Sequence, residues 1–131
     1  MIDAVEAISA AAYVALSAPD AMSVSIFTHP PQDTPAPLGI IGNVEDVVPI
    51  GRAGDPDRRG TVEILFITEG EEREPCTALM GECNAALNDR TIAIDGWNVA
   101  FYFSTSSAQL DESGLGYLGG IKFAAIALSA G

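Results

Sequence analysis

Gly60-Thr-Val-Glu-Ile-Leu-Phe-Ile-Thr-Glu-Gly70 decides the fold. Val62, Ile64 and Phe66 project to one side of this stretch, and Glu63, Leu65 and Ile67 to the other, at the period of two that a pleated strand imposes. With apolar residues on both faces and Glu63 the one charge in its middle, it reads as an interior strand that needs a cover on each side. An amphipathic helix follows directly and supplies one cover. What lies on the other face is the question that bears on function.

That helix is expected from Pro75 to about Asn88. Glu69, Glu71, Glu72 and Glu74 collect at its start, where the macrodipole favours negative charge, and Pro75 suits a first helical position. Cys76, Leu79, Met80, Cys83 and Leu87 form its buried stripe. Further on, Ile92-Ala-Ile94, Asp95-Gly96 and Trp97 onward make a hairpin signal, because Asp-Gly tolerates the positive φ values of a type I′ turn. The returning strand alternates Trp97, Val99, Phe101 and Phe103 against Asn98, Ala100, Tyr102 and Ser104. Ser104 to Gly114 is polar and reads as a loop or wide turn. Leu115 to Leu128 reads as a final long strand with Lys122 its one charge and glycines in its first half.

Upstream of the opening stretch, Asp3 and Glu6 have the spacing of a capping box. Val5, Ile8, Ala12 and Leu16 then fall on one stripe of a short helix, residues 3 to 17, that stops at Pro19. Val24 to Phe27 is a short strand, followed by a rigid strap from His29 to Pro37 in which four prolines bar both helix and central strand. Leu38 to Val44 is a second strand. Glu45 to Arg59 carries two glycines, two prolines, three arginines and four acids and reads as an exposed loop of about 15 residues. The order helix, strand, strand, strand, helix, hairpin, strand predicts an α+β fold: a mostly antiparallel four- to six-stranded sheet with both helices packed on one face.

A chain of 131 residues suits one domain, residues 1 to 131. Its composition is that of a folded protein, with 48% apolar residues, and its bias is electrical. Eighteen Asp and Glu face six Lys and Arg, a formal charge of -12, and no basic residue precedes Arg52. Such a surface repels phosphate backbones and anionic lipid, which argues against nucleic-acid and membrane binders. No signal or membrane-spanning stretch is expected, so folding in the cytoplasm is. Cys76 and Cys83 lie about 10 Å apart along a helix, too far for a disulfide, and read as reduced buried thiols.

Catalytic chemistry has little to stand on. His29 is the single histidine, which excludes a histidine-based triad or acid-base pair. Asp55 and Asp57 beside Arg52, Arg58 and Arg59 suit ion pairs within the loop better than a metal cage. Asp46, Asp111 and Glu112 read as solvated loop acids, and no glycine cluster has the spacing of a phosphate cradle. No metal and no cofactor is expected. The apolar excess does need an outlet: Leu65 and Ile67, one set of the Trp97 to Phe103 strand, and either Ile121 with Phe123 or Ile126 with Leu128 exceed what two short helices cover. From the residues alone this is a soluble, acidic, enzymatically inert α+β domain that self-associates.

Several stretches in order resemble the tail-completion, or tail-terminator, proteins of long-tailed bacteriophages and gene transfer agents. They are the Ala-rich first helix; Ile26-Phe27-Thr28; Pro31, Pro35 and Pro37; Gly39 to Glu45; Arg59-Gly-Thr-Val-Glu-Ile-Leu-Phe66; Leu79 to Leu87; Gly96-Trp97-Asn98-Val99; and Gly116 to Leu128. The resemblance implies a homo-oligomer, a hexameric ring on the head-proximal end of a virion tail. There it stops the tail tube protein polymerising and meets a head-tail connector or stopper protein, while DNA passes the lumen without specific binding. It implies no catalytic residues and no membrane contact. Contact candidates are Asp46, Arg52, Asp55, Asp57, Arg58 and Arg59 in one loop, Asp111 and Glu112 in another, and Glu63, Leu65 and Ile67 on the sheet. A head-tail connector or minor tube subunit, and a small intracellular binding domain, stay open beside it.

Overall fold

The structure is a computed structural model that describes residues 2 to 130. Helix α1 runs Ala4–Leu16, strand β1 Ile26–Phe27, β2 Leu38–Pro49, β3 Arg58–Glu69, helix α2 Glu74–Leu87, β4 Thr91–Ile94, β5 Trp97–Leu110 and β6 Gly116–Ser129. The six strands form one sheet in the order β1-β2-β3-β6-β5-β4, antiparallel throughout except where β1 lies parallel to β2. Both helices cover one face, so the expected α+β arrangement is present. β3 sits near the middle of the sheet, between β2 and β6.

Local chemistry fixes each element. The Asp3 carboxylate caps α1 by accepting from the Glu6 amide at 2.9 Å. α1 buries Ala4, Ala7, Ile8, Ala11, Ala12 and Leu16, a stripe of small side chains that lets the helix lie close to the sheet. Val5 is not on that stripe, as the sequence reading had it, but 40% exposed. α2 buries Cys76, Leu79, Met80, Cys83 and Leu87, the expected five. Its approach to β6 depends on Gly119: a Cβ there would lie 2.6 Å from Cys76 Sγ and 2.7 Å from Met80 Sδ. Asp95 and Gly96, with φ of 39° and 84°, make the expected tight turn from β4 to β5.

The inner face supplies the core. Val62, Ile64 and Phe66 from β3 are fully buried, with Ile121, Phe123, Ala125 and Ala127 from β6 and Trp97, Val99 and Phe101 from β5. Each large apolar side chain removed from water in this way contributes about 1.5 to 3 kcal/mol. Trp97 also donates its indole N–H to the Ile2 carbonyl at 2.8 Å, tying the chain start to β5. Phe103 packs edge-on against Phe123 at 6.3 Å between ring centroids but stays 45% exposed, because it lies at the margin of the helix layer.

Two expected loops are strands instead. Residues 45 to 49 continue β2, and 58 and 59 begin β3, so the connection shrinks to residues 50 to 57. β-bulges between Ile41 and Val44 and between Glu45 and Val48, with Asp46 at φ 56°, hide the pairing from a period-two reading. Likewise Ser104 to Leu110 is not a loop but the second half of β5, paired to β6 as far as Leu110 opposite Tyr117. A bulge between Phe103 and Thr105 separates the apolar and polar halves. The remaining turn is 111 to 115.

Candidate functional site

The outer sheet face carries no helix. Its exposed and half-exposed apolar residues form two groups: Ile40 on β2 with Leu65 and Ile67 on β3 toward the β5–β6 turn, and Tyr102 on β5 with Ile126 and Leu128 on β6 toward the β2–β3 turn. Ile67, Tyr102 and Leu128 are 36%, 43% and 44% exposed. Glu63 stands half-buried at the centre, directly opposite Lys122 in the β3–β6 register. Opposite charges placed across a strand pair are mutually favourable. The carboxylate lies over Gly120, where a Cβ would approach Glu63 Oε2 to 3.1 Å.

Long hairpins carry the other contact candidates to opposite ends of the sheet. At one end, the β2–β3 turn holds Arg52 and Asp55, both exposed, while Asp46 lies on the bulged part of β2. Asp57 and Arg58 do not form the expected ion pairs within the loop. The Asp57 carboxylate accepts from the Ser129 amide at 2.7 Å, and Arg58 Nη1 donates to the carbonyls of Asp55 at 2.6 Å and Asp57 at 2.9 Å. These bonds brace the turn against the end of β6. Arg59 is exposed opposite Ile126. Val48 and Ile50, 39% and 45% exposed, are apolar residues of this end that sequence reading did not single out.

At the other end, Asp111 and Glu112 occupy the β5–β6 turn, where Asp111 accepts from the Ser113 hydroxyl at 2.8 Å. Leu115 follows at 74% exposed. A groove of about 810 Å³ separates this turn from the proline strap, with Leu38, Ile40 and Ile67 among its lining residues. The eleven candidates thus fall into three places: the outer face and two sheet ends.

Elsewhere the polar chemistry is quiet. Burial raises the Cys76 thiol and pushes Cys83 up to about 12, so both stay protonated and poorly nucleophilic at neutral pH. Among the described residues, no group of three or more His, Cys, Asp or Glu is arranged to hold a metal ion. No helix among them is long and apolar enough to cross a membrane.

No family model matches the chain, and no curated protein matches it in sequence. Its fold does match that of a solved chain from a "Virion of native gene transfer agent (GTA) particle", with a TM-score of 0.82 at 18% sequence identity. The match covers 95% of this chain and 97% of the other.

Proposed function

We propose that this chain is a structural virion protein, a tail terminator that forms a homohexameric ring on the head-proximal end of a tail tube. The fold shared along nearly the whole length with a chain of a gene transfer agent virion carries this reading. Three features support it. The outer sheet face leaves two groups of apolar residues that the chain itself does not cover, which suits a subunit completed by neighbours. The two sheet ends are separated by long strands, so one ring can meet the tube on one side and a head connector on the other. A formal charge of -12 lets DNA pass nearby without adsorbing.

In this reading the residues have structural roles and none is catalytic. The β2–β3 end, with Asp46, Arg52, Asp55, Asp57, Arg58 and Arg59, and the β5–β6 turn, with Asp111 and Glu112, meet the tube and the connector. Glu63, Leu65 and Ile67 face the assembly. Electron microscopy of particles made without this protein tests the role: tails of uncontrolled length, or tails detached from heads, are expected. Tails of normal length joined to heads would sink it, and normal length with failed attachment would favour a connector.

A further inference from the structure

We propose that the free edge of β5, Ser104 to Leu110, is a strand-pairing site for the β1 edge of a second copy of this chain. A sheet edge presents unpaired amides and carbonyls, and folded proteins protect such edges with charge, proline, bulges or shortness. Every other edge here has such protection. β1 is two residues long and β4 four. The open part of β2 has two bulges, Glu45, Asp46 and Pro49.

β5 differs. β4 pairs with it only from Trp97 to Ala100, and the connection from α2 to β4 covers it as far as Phe103, whose amide donates to Asn88 Oδ1 at 2.8 Å. Beyond Phe103, among the described residues, no strand lies on its outer side. The uncovered run Ser104-Thr-Ser-Ser-Ala-Gln-Leu110 has no charge, no proline and no glycine. It is regular after its initial bulge. The amides of Phe101 and Phe103 point away from β6, and one extra residue at the bulge shifts the alternation. The amides of Ser106, Ala108 and Leu110 therefore point outward.

Register identifies the occupant. Ile26, Gly39, Phe66, Gly119 and Ala108 form one row across the sheet, and Phe27, Ile40, Leu65, Gly120 and Ser107 the next. β1 therefore stands on one margin at the level where β5 is bare on the other. At the opposite end the steps are reversed: Thr91 of β4 shares a row with Ala100, Ile126, Arg59 and Val48, where β2 is bare. The two margins are stepped in complementary senses. Copies placed side by side at the same height would fill both steps, with β1 of one copy antiparallel to β5 of the next. Such a contact uses different surfaces on its two sides, the kind that builds a ring when the rotation between copies closes and a filament when it does not.

This pairing rests on the ring proposed above, and two measurements separate their fates. Native mass measurement of the purified chain should give an oligomer for the unaltered protein and its loss for Ala108→Pro, which removes one outward amide and leaves the β6 ladder intact. Ser107→Lys serves the same purpose if the proline variant fails to fold, as judged by circular dichroism. With Phe27→Cys and Ser107→Cys together, oxidation should yield covalent oligomers. An unaltered protein that stays monomeric at assembly concentrations, or full assembly by both β5 variants, would overturn the pairing. So would crosslinked dimers from Ser107→Cys alone, since these place β5 against β5. If the pairing holds and particles lacking the protein have normal tails, the virion role fails alone; if those particles are defective while Ala108→Pro and Ser107→Lys both assemble normally, only the pairing fails.

Discussion

The two faces of β3 are made from adjacent residues yet obey different rules. Val62, Ile64 and Phe66 are sealed under α1 and α2, whereas Glu63, Leu65 and Ile67, one step away each, remain half-buried or exposed. The same alternation generates both faces, so the difference lies in what covers them. The inner face is completed within the chain and sets stability. The outer face is left open and, in the proposed role, is completed by assembly.

Substitutions can pull the two faces apart. The largest loss is expected for Phe66→Ala, about 3 to 5 kcal/mol by urea unfolding, because a fully buried ring leaves a cavity under the helices. A loss below about 1 kcal/mol would erase the contrast. Gly119→Val is next, with about 1 to 3 kcal/mol expected, since its side chain would meet Cys76 and Met80 and lift α2 from β6. A wild-type melting temperature for that variant would show that the helix layer yields freely.

Cys83 sharpens the inner side through pH. Its thiol holds its proton to about 12 in the folded chain against 9.0 ordinarily, so the folded state binds more protons between these values. Stability from this group is complete below about pH 9 and falls as pH rises, by up to about 1.4 kcal/mol per unit. Unfolding curves between pH 8 and 10.5 should show the decline, and Cys83→Ala should flatten it; an unchanged slope would discount the thiol. The smallest effect on folding belongs to the outer face. Ile67→Ser with Leu128→Ser should change stability by only about 0.5 kcal/mol per site yet impair particle assembly. A pair that unfolds the isolated chain would mean that the outer face also holds the fold.

Much of the inner face was legible because burial writes itself into periodicity. The five buried residues of α2, the alternation in β3 and the Asp95-Gly96 turn all follow from spacing and turn chemistry. The extended ends of the hairpins were not legible. From Thr105 to Gln109 Ala108 alone is half-buried, too little to impose alternation on composition, and the bulges near Asp46 break the register that would reveal β2. Val5 was misplaced because an apolar side chain at helical spacing need not find a partner. Asp46, Arg52, Asp55, Arg59, Asp111 and Glu112 were legible as exposed, but the division of the candidates among two ends and one face follows from strand register, which spacing along the chain does not contain.

The bulge at Ser104 acts on β5 as a frameshift acts on a message. Upstream of it, odd-numbered residues from Trp97 to Phe103 face the helices; downstream, even-numbered Ser106, Ala108 and Leu110 do, in line with inward Ile121, Gly119 and Tyr117. Thr105, Ser107 and Gln109 are thereby directed to the open face. Removing Ser104 would straighten the strand and preserve this parity. An inserted residue further along, with the bulge held in place, would exchange the two faces beyond the insertion, so a one-residue change in length there matters more than a change of side chain.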